Sequence, residues 1–265
     1  PVWLDIPIDV QSSKEKVNFK KYSITKTFNR KLAVNQINKL AESFLKAKKP
    51  IILAGTGIRI SKSLDDLRNL IEYFKIPLTT AWTHDLIETS HPLFIGRPGT
   101  IGTRPGNFVV QSSDLVIVIG SRLNIRQISY NFKSFGKNAK VYHIVIDFNE
   151  LKKPLYNANF KIHSDANFFI KKFHKLLVKK NYKKVPTRWI KYCKDVKNDF
   201  DVMKEKFLDD KKIINPYYMI NSIFINSKPS DIFVSANASA CIIPFQVAKL
   251  KKKQRLFSNS GSASM

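Results

Sequence analysis

Cysteine is nearly absent from this chain: two in 265 residues, Cys193 and Cys241, far apart and without a second Cys or a His at zinc-ligand spacing. That excludes a disulfide framework and a metal knuckle, and leaves two reduced thiols of the kind that pack as small hydrophobes. No apolar run approaches the roughly 18 residues that a membrane helix needs. The first residues lack the basic-then-apolar order of a secretory signal. A soluble, cytoplasmic protein with no membrane partner is the expectation. Acidic residues are scarce, 20 Asp and Glu against 46 Lys and Arg, giving a formal charge of +26. Such an excess ordinarily suggests a nucleic-acid partner. Here 37 Lys stand against nine Arg and are spread over the whole chain, whereas phosphate and groove recognition draw on Arg and on one clustered face. Lys, Asn and Ile abundant together read as the compositional bias of an AT-rich genome. A basic nucleic-acid-binding module is kept as an alternative reading, and the densest run, Lys249 with Lys251 to Lys253, reads as solvated loop.

What is present is enough apolar residue, 43%, to build a large core. Val2 to Ile6 reads as a buried strand, and 11–30 is polar, Lys-rich and aperiodic. From Lys31 to Lys48 the apolar positions recur at three and four residues, as on one face of a helix. An alternation typical of a parallel sheet follows: Pro50 to Ala54 as a continuous apolar strand, Gly55-Thr56-Gly57 as a tight turn, Leu64 to Phe74 as an amphipathic helix and Ile76 to Ala81 as the next strand. Asp114 to Gly120 and Val141 to Asp147 are further buried strands, and Ala166 to Lys180 is a closing helix. The expected fold class is α/β: a doubly wound, parallel-sheet, Rossmann-like domain over 31–180. A charged, mostly helical connector over 181–212 need not have a core of its own. From 213 a second α/β domain begins, with a helix from Asn215-Pro216-Tyr217 through Ile225 and strands at Asp231 to Ser235 and Leu256 to Ser258. Pro1 falls inside the first apparent strand and Met265 just after a small-residue loop opens, so both ends read as cut.

In a doubly wound sheet the working loops follow the carboxyl ends of the strands. Gly55-Thr56-Gly57 allows close backbone approach, yet lacks the third Gly of a dinucleotide fingerprint, so it serves a ligand or is a purely structural turn. The segment Gly96 to Asn107 holds four Gly and two Arg. It suits an extended backbone against a phosphate or an adjacent subunit, with a self-packed Ω-type loop as the alternative. Gly120 to Gln127 places Arg122 and Arg126 just after a buried strand, and Asp147, Asn149 and Glu150 stand at the next strand end. An acid there can bind ribose hydroxyls or cap the next helix. The five His (84, 91, 143, 163 and 174) have no Ser or Cys nucleophile motif around them, and His143, inside an apolar strand, reads as a satisfied core residue.

The order of these motifs resembles thiamine-diphosphate-dependent enzymes of the acetolactate-synthase type. Pro1-Val2-Trp3-Leu4-Asp5-Ile6-Pro7-Ile8-Asp9-Val10-Gln11 is similar to the closing strand of that family's pyrimidine-binding domain, which would occupy 1–12, with a linker over 13–30. Lys49-Pro50-Ile51 with the Gly55 turn, His91-Pro92-Leu93, the Gly96 loop, Ser113-Asp114-Leu115, Gly120-Ser121-Arg122 and Ile144 to Asp147 resemble its central domain. Asn259 to Met265 resembles the opening of its diphosphate-binding domain. The resemblance implies a 2-oxo-acid decarboxylating lyase or carboligase, using thiamine diphosphate and Mg²⁺ on a substrate such as pyruvate and assembled as a homodimer or homotetramer. Gly120 to Gln127 is similar to members thought to serve surface-polysaccharide synthesis, since Asn124 and Ile125 stand where the branched-chain amino-acid enzymes carry two Asp.

The resemblance also implies site residues. The activating Glu and the metal-binding Gly-Asp-Gly…Asn motif are not in this sequence, so no catalytic or metal-binding residue is assigned, and the chain by itself is expected to be inactive. Asn237, Ala238, Ser239 and Ala240 match a loop that approaches the diphosphate, with a helix N-cap as the alternative for Ser239. Gly261, Ala263 and Met265 match the wall under the bent cofactor. Some members bind FAD in the central domain, which makes Gly55, Gly57, Arg122, Arg126, Asp147 and Glu150 candidates for an FAD site or its vestige. An inactive remnant or scaffold is an alternative to the enzyme. A nicotinamide-dependent deacylase would normally need a catalytic His loop and often a Cys-x-x-Cys pair, and the pair is absent.

Overall fold

The computed structural model describes residues 4–14, 28–81, 85–153, 158–205, 213–236 and 238–258. Its elements are, in chain order, α1 (Ile8–Gln11), α2 (Arg30–Lys46), β1 (Pro50–Ala54), α3 (Gly57–Ile60), α4 (Leu64–Phe74), β2 (Leu78–Thr80), β3 (Phe94–Gly96), α5 (Arg104–Ser112), β4 (Leu115–Ile119), α6 (Ile125–Ile128), β5 (Lys140–Val145), β6 (Phe160–His163), α7 (Ala166–Lys179), α8 (Thr187–Asp199), α9 (Pro216–Asn226), β7 (Ile232–Ser235), α10 (Ala238–Val247) and β8 (Arg255–Ser258). Among the described residues no helix is long and apolar enough to cross a membrane.

Strands β1 to β6 form one parallel sheet in the order β3-β2-β1-β4-β5-β6. The chain works outward from β1 to β3, then returns across the sheet to β4 and works outward the other way. Right-handed crossovers therefore place α4 and α5 on opposite faces. Helices α2, α4 and α7 pack together, as do α5 and α8. Covered on both sides, β1 and β4 are buried at every position, which is why their sequences run apolar without alternation. Helix α4 closes on Lys75 in the left-handed conformation, φ +58°, and α2 opens on Asn29, whose side chain accepts from Leu32 N–H.

Two expectations need correction. The strand expected from Val2 to Ile6 lies partly outside the described residues. Leu4 to Pro7 take no ladder, Ile8–Gln11 is a turn of helix, and Leu4, Ile6, Ile8 and Val10 are exposed. A strand exists only where a neighbour receives its amides and carbonyls, and among the described residues nothing pairs with this one. The Gly96 to Asn107 segment is not a loop throughout: Gly96 ends β3, and Thr103 caps α5 with Pro105 in its first turn. The connector has no core of its own because it shares the sheet's. Trp189, Cys193 and Val196 of α8 are buried in the main cluster, and burial pushes the Cys193 thiol up in pKa.

The parallel pair β7–β8, with α9 and α10, builds a second small core of Phe224, Cys241, Phe245, Ala248, Leu250 and Leu256, against which Ile101 packs from the main sheet's side. Two further clasps join the units. Thr89 exchanges hydrogen bonds with Ala248 and Leu250. The buried carboxylate of Asp85 accepts from Arg255 Nε at 2.7 Å and Leu256 N at 2.8 Å while pairing with Arg59 at 3.1 Å.

Candidate cofactor-binding crevice

The strand order reverses between β1 and β4, so their outgoing loops leave in opposite directions and open a crevice at the carboxyl edge. The cleft there has a volume of about 1050 Å³, and Gly57, Arg122, Asp147 and Glu150 line it. Gly55 and Arg126 do not line it; the Arg126 carbonyl accepts from Thr100 N–H at 2.8 Å.

The two glycines of the β1 turn are explained by packing. A Cβ on Gly57 would lie 2.6 Å from Gly120 Cα, and one on Gly55 would lie 2.5 Å from Gly120 O. Their amides are committed too, Gly55 N–H to Ile119 O and Gly57 N–H to Gly120 O, both at 2.9 Å. A phosphate in this crevice could not use those two N–H groups, which separates it from the dinucleotide cradle in which the first turn's backbone holds the anion.

The charged groups lie on the β4 and β5 sides. Arg122 meets Glu150 through Nε at 2.9 Å and Nη2 at 2.7 Å, and Lys153 reaches the other carboxylate oxygen. Burial pushes the Glu150 carboxyl up, but Arg122 and Lys153 outweigh it, so its pKa is held below the ordinary value. The hydrogen bond to Glu150 raises Arg122 in turn. The Arg122 side chain is 73% exposed, so the pair holds its position without removing it from a ligand's reach. Asp147 is exposed and accepts from Asn149 N–H at 2.9 Å, the local capping role. Asp165, which caps α7, and Gln127, whose side-chain amide donates to Pro98 O, also line the cleft. In sequence neither differs from an ordinary cap or helix residue.

His143 lies beneath this floor, fully buried, and its Nε2–H donates to Ser121 O at 2.7 Å. Burial lowers its pKa from 6.5 to about 4. Between those values the unfolded chain holds a proton that the folded chain excludes, so stability is full above pH 6.5 and is lost progressively as the pH falls towards 4. His143→Gln, which keeps a donor but does not titrate, is expected to flatten that slope in urea unfolding series across the window. Of the other His, His91 faces Glu72 at 3.0 Å and His163 faces Ile146 O at 2.8 Å. His84 lies outside the described residues. Among the described residues no cluster of His, Cys, Asp and Glu has the geometry to hold a metal ion.

Of the second group of candidates, Ala238, Ser239 and Ala240 form the exposed first turn of α10, just beyond the carboxyl end of β7. Ser239 thus sits inside the helix rather than at its cap. Ala238 is left-handed, φ +49°, a conformation that costs a residue with a Cβ. A helix N-terminus at the end of a parallel strand suits a diphosphate. Asn237, Gly261, Ala263 and Met265 lie outside the described residues.

A sheet of this order with its crevice at the reversal, followed by a second parallel α/β unit, defines a doubly wound, Rossmann-like α/β protein. The family model for the central domain of thiamine pyrophosphate enzymes matches residues 37–173, and the chain belongs to that family. It is 36% identical over 187 residues to the probable acetolactate synthase large subunit of Methanococcus aeolicus, covering 67% of this chain and 30% of that protein. It is 31% identical over 230 residues to the corresponding protein of Methanocaldococcus jannaschii, covering 79% and 38%. It is also 31% identical over 186 residues to a 3D-(3,5/4)-trihydroxycyclohexane-1,2-dione hydrolase of Clostridium perfringens, covering 68% and 28%. The chain spans about a third of the length of these curated relatives.

Proposed function

We propose that the chain contributes the central domain and part of the diphosphate-binding domain to a thiamine-diphosphate- and Mg²⁺-dependent 2-oxo-acid lyase or carboligase of the acetolactate-synthase type, acting as a homodimer or homotetramer. The observation that carries this is the family match over 37–173, together with the acetolactate synthases among the relatives. Thiamine diphosphate, when bound, supplies a nucleophilic carbon and an electron sink for decarboxylation. This chain's part is to bind and orient: the first turn of α10 offers its N–H groups to the diphosphate, and Gly261, Ala263 and Met265 wall the cofactor. The departure at Asn124 and Ile125 supports a role in surface-polysaccharide synthesis.

The test uses the complete protein with pyruvate, thiamine diphosphate and Mg²⁺, following CO₂ release and cofactor binding. Cofactor-dependent turnover is expected. Binding without turnover of any 2-oxo acid would favour the inactive scaffold, and no binding would overturn the reading. Ser239→Asp is expected to weaken thiamine diphosphate binding at least tenfold, because the carboxylate faces the diphosphate. It leaves thermal stability unchanged or higher, because a carboxylate favours a helix N-terminus. The volume of the crevice and the exposed Arg122 support a nucleotide such as FAD there as a second reading. Flavin absorbance in the purified protein decides it.

A further inference from the structure

Away from the crevice, where the sheet's β3 edge meets the second unit, lies a pocket of about 280 Å³, at the small end of the range for small-molecule sites. Four cations line it, Arg97, Arg104, Lys197 and Lys249, against two carboxylates, Asp201 and Glu205. The carboxylates are already paired, Asp201 with Lys249 at 2.8 Å and Glu205 with Arg104 at 2.8 Å. Arg97 and Lys197 are left without an acidic partner among the described residues.

Arg97 is 3% exposed and is aimed by its own loop. Thr103 closes the turn through Arg97 N–H to Thr103 Oγ1 at 2.9 Å and Thr103 N–H to Arg97 O at 2.7 Å, and Asn107 ties Gly99 from both sides. The guanidinium lies over the Phe94 ring, 5.1 Å from its centroid, and donates through Nη1 to Phe245 O at 3.3 Å. Its Nε and Nη2 are buried with no acceptor among the described residues. Those two N–H bonds point in parallel along one edge of the guanidinium, the fork that takes two oxygens of a carboxylate or phosphate. The Lys197 ammonium lies 5.7 Å from the same ring, with two of its three protons given to Thr89 O at 2.9 Å and His91 O at 3.3 Å. Burial lowers Arg97 to about 10 against the charge of Asp85, and lowers Lys197 to about 8 with help from Lys249 and Arg97 against Asp201. A buried guanidinium beside a half-buried ammonium is costly unless an anion joins them. The first turn of α5 lines the same pocket, and its dipole has the sign that favours an anion.

We propose that this pocket is an oxyanion site for a phosphate- or carboxylate-bearing small molecule, held by Lys197 and by Arg97, whose Nε–Nη2 edge, closed to solvent here, turns onto the anion to bind it bidentately. The rim cations Arg104 and Lys249, with side chains 63% and 42% exposed, draw the anion in.

The test is thermal unfolding and calorimetry with inorganic phosphate and, separately, malonate, each against chloride at matched ionic strength so that screening of the chain's excess charge cancels. A saturable rise in Tm over chloride is expected, and the anion giving the tighter saturation identifies the chemistry. Arg97→Met and Arg97→Lys are each expected to weaken binding at least tenfold, since the second keeps the charge but loses the fork. Lys197→Met is expected to weaken it several-fold. With no phosphate or malonate present, Arg97→Met is expected to be at least as stable as the parent, because it removes a buried charge that has no salt bridge among the described residues. A parent response no larger than chloride's, or one that survives Arg97→Met, overturns the proposal. So does an Arg97→Met protein that is less stable without anion or fails to fold, since the guanidinium would then be a structural strut.

Discussion

Gly120→Ala is expected to destabilise the protein by about 4 kcal/mol, well beyond the loss from Gly136→Ala. Both glycines are left-handed, at φ +63° and +55°, and an L-residue there costs roughly 1–2 kcal/mol whatever surrounds it. Their neighbours differ. A Cβ on Gly136 would meet the tip of the Val141 side chain at 3.2 Å, which can turn aside. One on Gly120 would lie 2.8 Å from Gly57 Cα, with two more backbone atoms of Gly57 within 3.1 Å. Relief requires the β1 loop to withdraw, and with it the hydrogen bond from Gly57 N–H to Gly120 O. That adds roughly 1–3 kcal/mol of overpacking. Urea unfolding of the two variants side by side measures the difference. Equal losses would mean that only the backbone conformation matters and that the loops at the sheet's reversal do not brace one another.

The same loops show where the sequence was legible. Pro50 to Ala54 and Leu115 to Ile119 run apolar without alternation, as does Val141 to Val145 but for His143, and in a single sequence that pattern points to strands covered on both faces. Leu64–Phe74 was recognisable at both ends because its apolar stripe keeps helical spacing throughout. The edge strands were not. Phe94–Gly96 has three residues, and Phe160–His163 shows two exposed positions, so neither makes a run long enough to stand out. Helix α5 was hidden because Thr103, Pro105 and Gly106, which make a good helix start, are also the residues of a loop. At the crevice, the strand ends carrying Arg122 and Glu150 could be located, but their contact depends on β4 lying beside β5 in this register. Arg97 stands in a segment that its four glycines and two arginines set apart. Lys197 is one of 37 lysines, and nothing local distinguishes the one that a fold will half-bury.

Trp189→Ala is expected to cost about 3–5 kcal/mol, because removing a buried Trp forfeits both its transfer energy and its packing. Trp189 is 4% exposed, stacks on Tyr192 and donates through Nε1 to Pro50 O at 2.9 Å, at the very start of β1. Trp189→Phe keeps most of the volume but leaves that carbonyl buried and unpaired, a loss of about 1–3 kcal/mol. Two neighbouring ties make the same attachment. Val185 N–H donates to Phe74 O at 2.9 Å at the end of α4, and Tyr192 Oη meets Ser112 Oγ at 2.9 Å at the end of α5. Helix α8 is thus pinned to the sheet where β1 enters it and where two crossover helices end. If Trp189→Ala costs less than about 1 kcal/mol, the helix is a tether and the sheet stands without it. The consequence reaches the anion pocket, since Lys197 lies two turns further along the same helix. A loosened α8 lets that ammonium drift from Thr89 O and His91 O, so Trp189→Ala should also weaken phosphate binding, although Trp189 is not among the residues that line the pocket. Parallel loss of stability and phosphate affinity would make the connector part of the site's scaffold. Loss of stability alone would place Lys197 under the control of its carbonyl partners rather than of the helix.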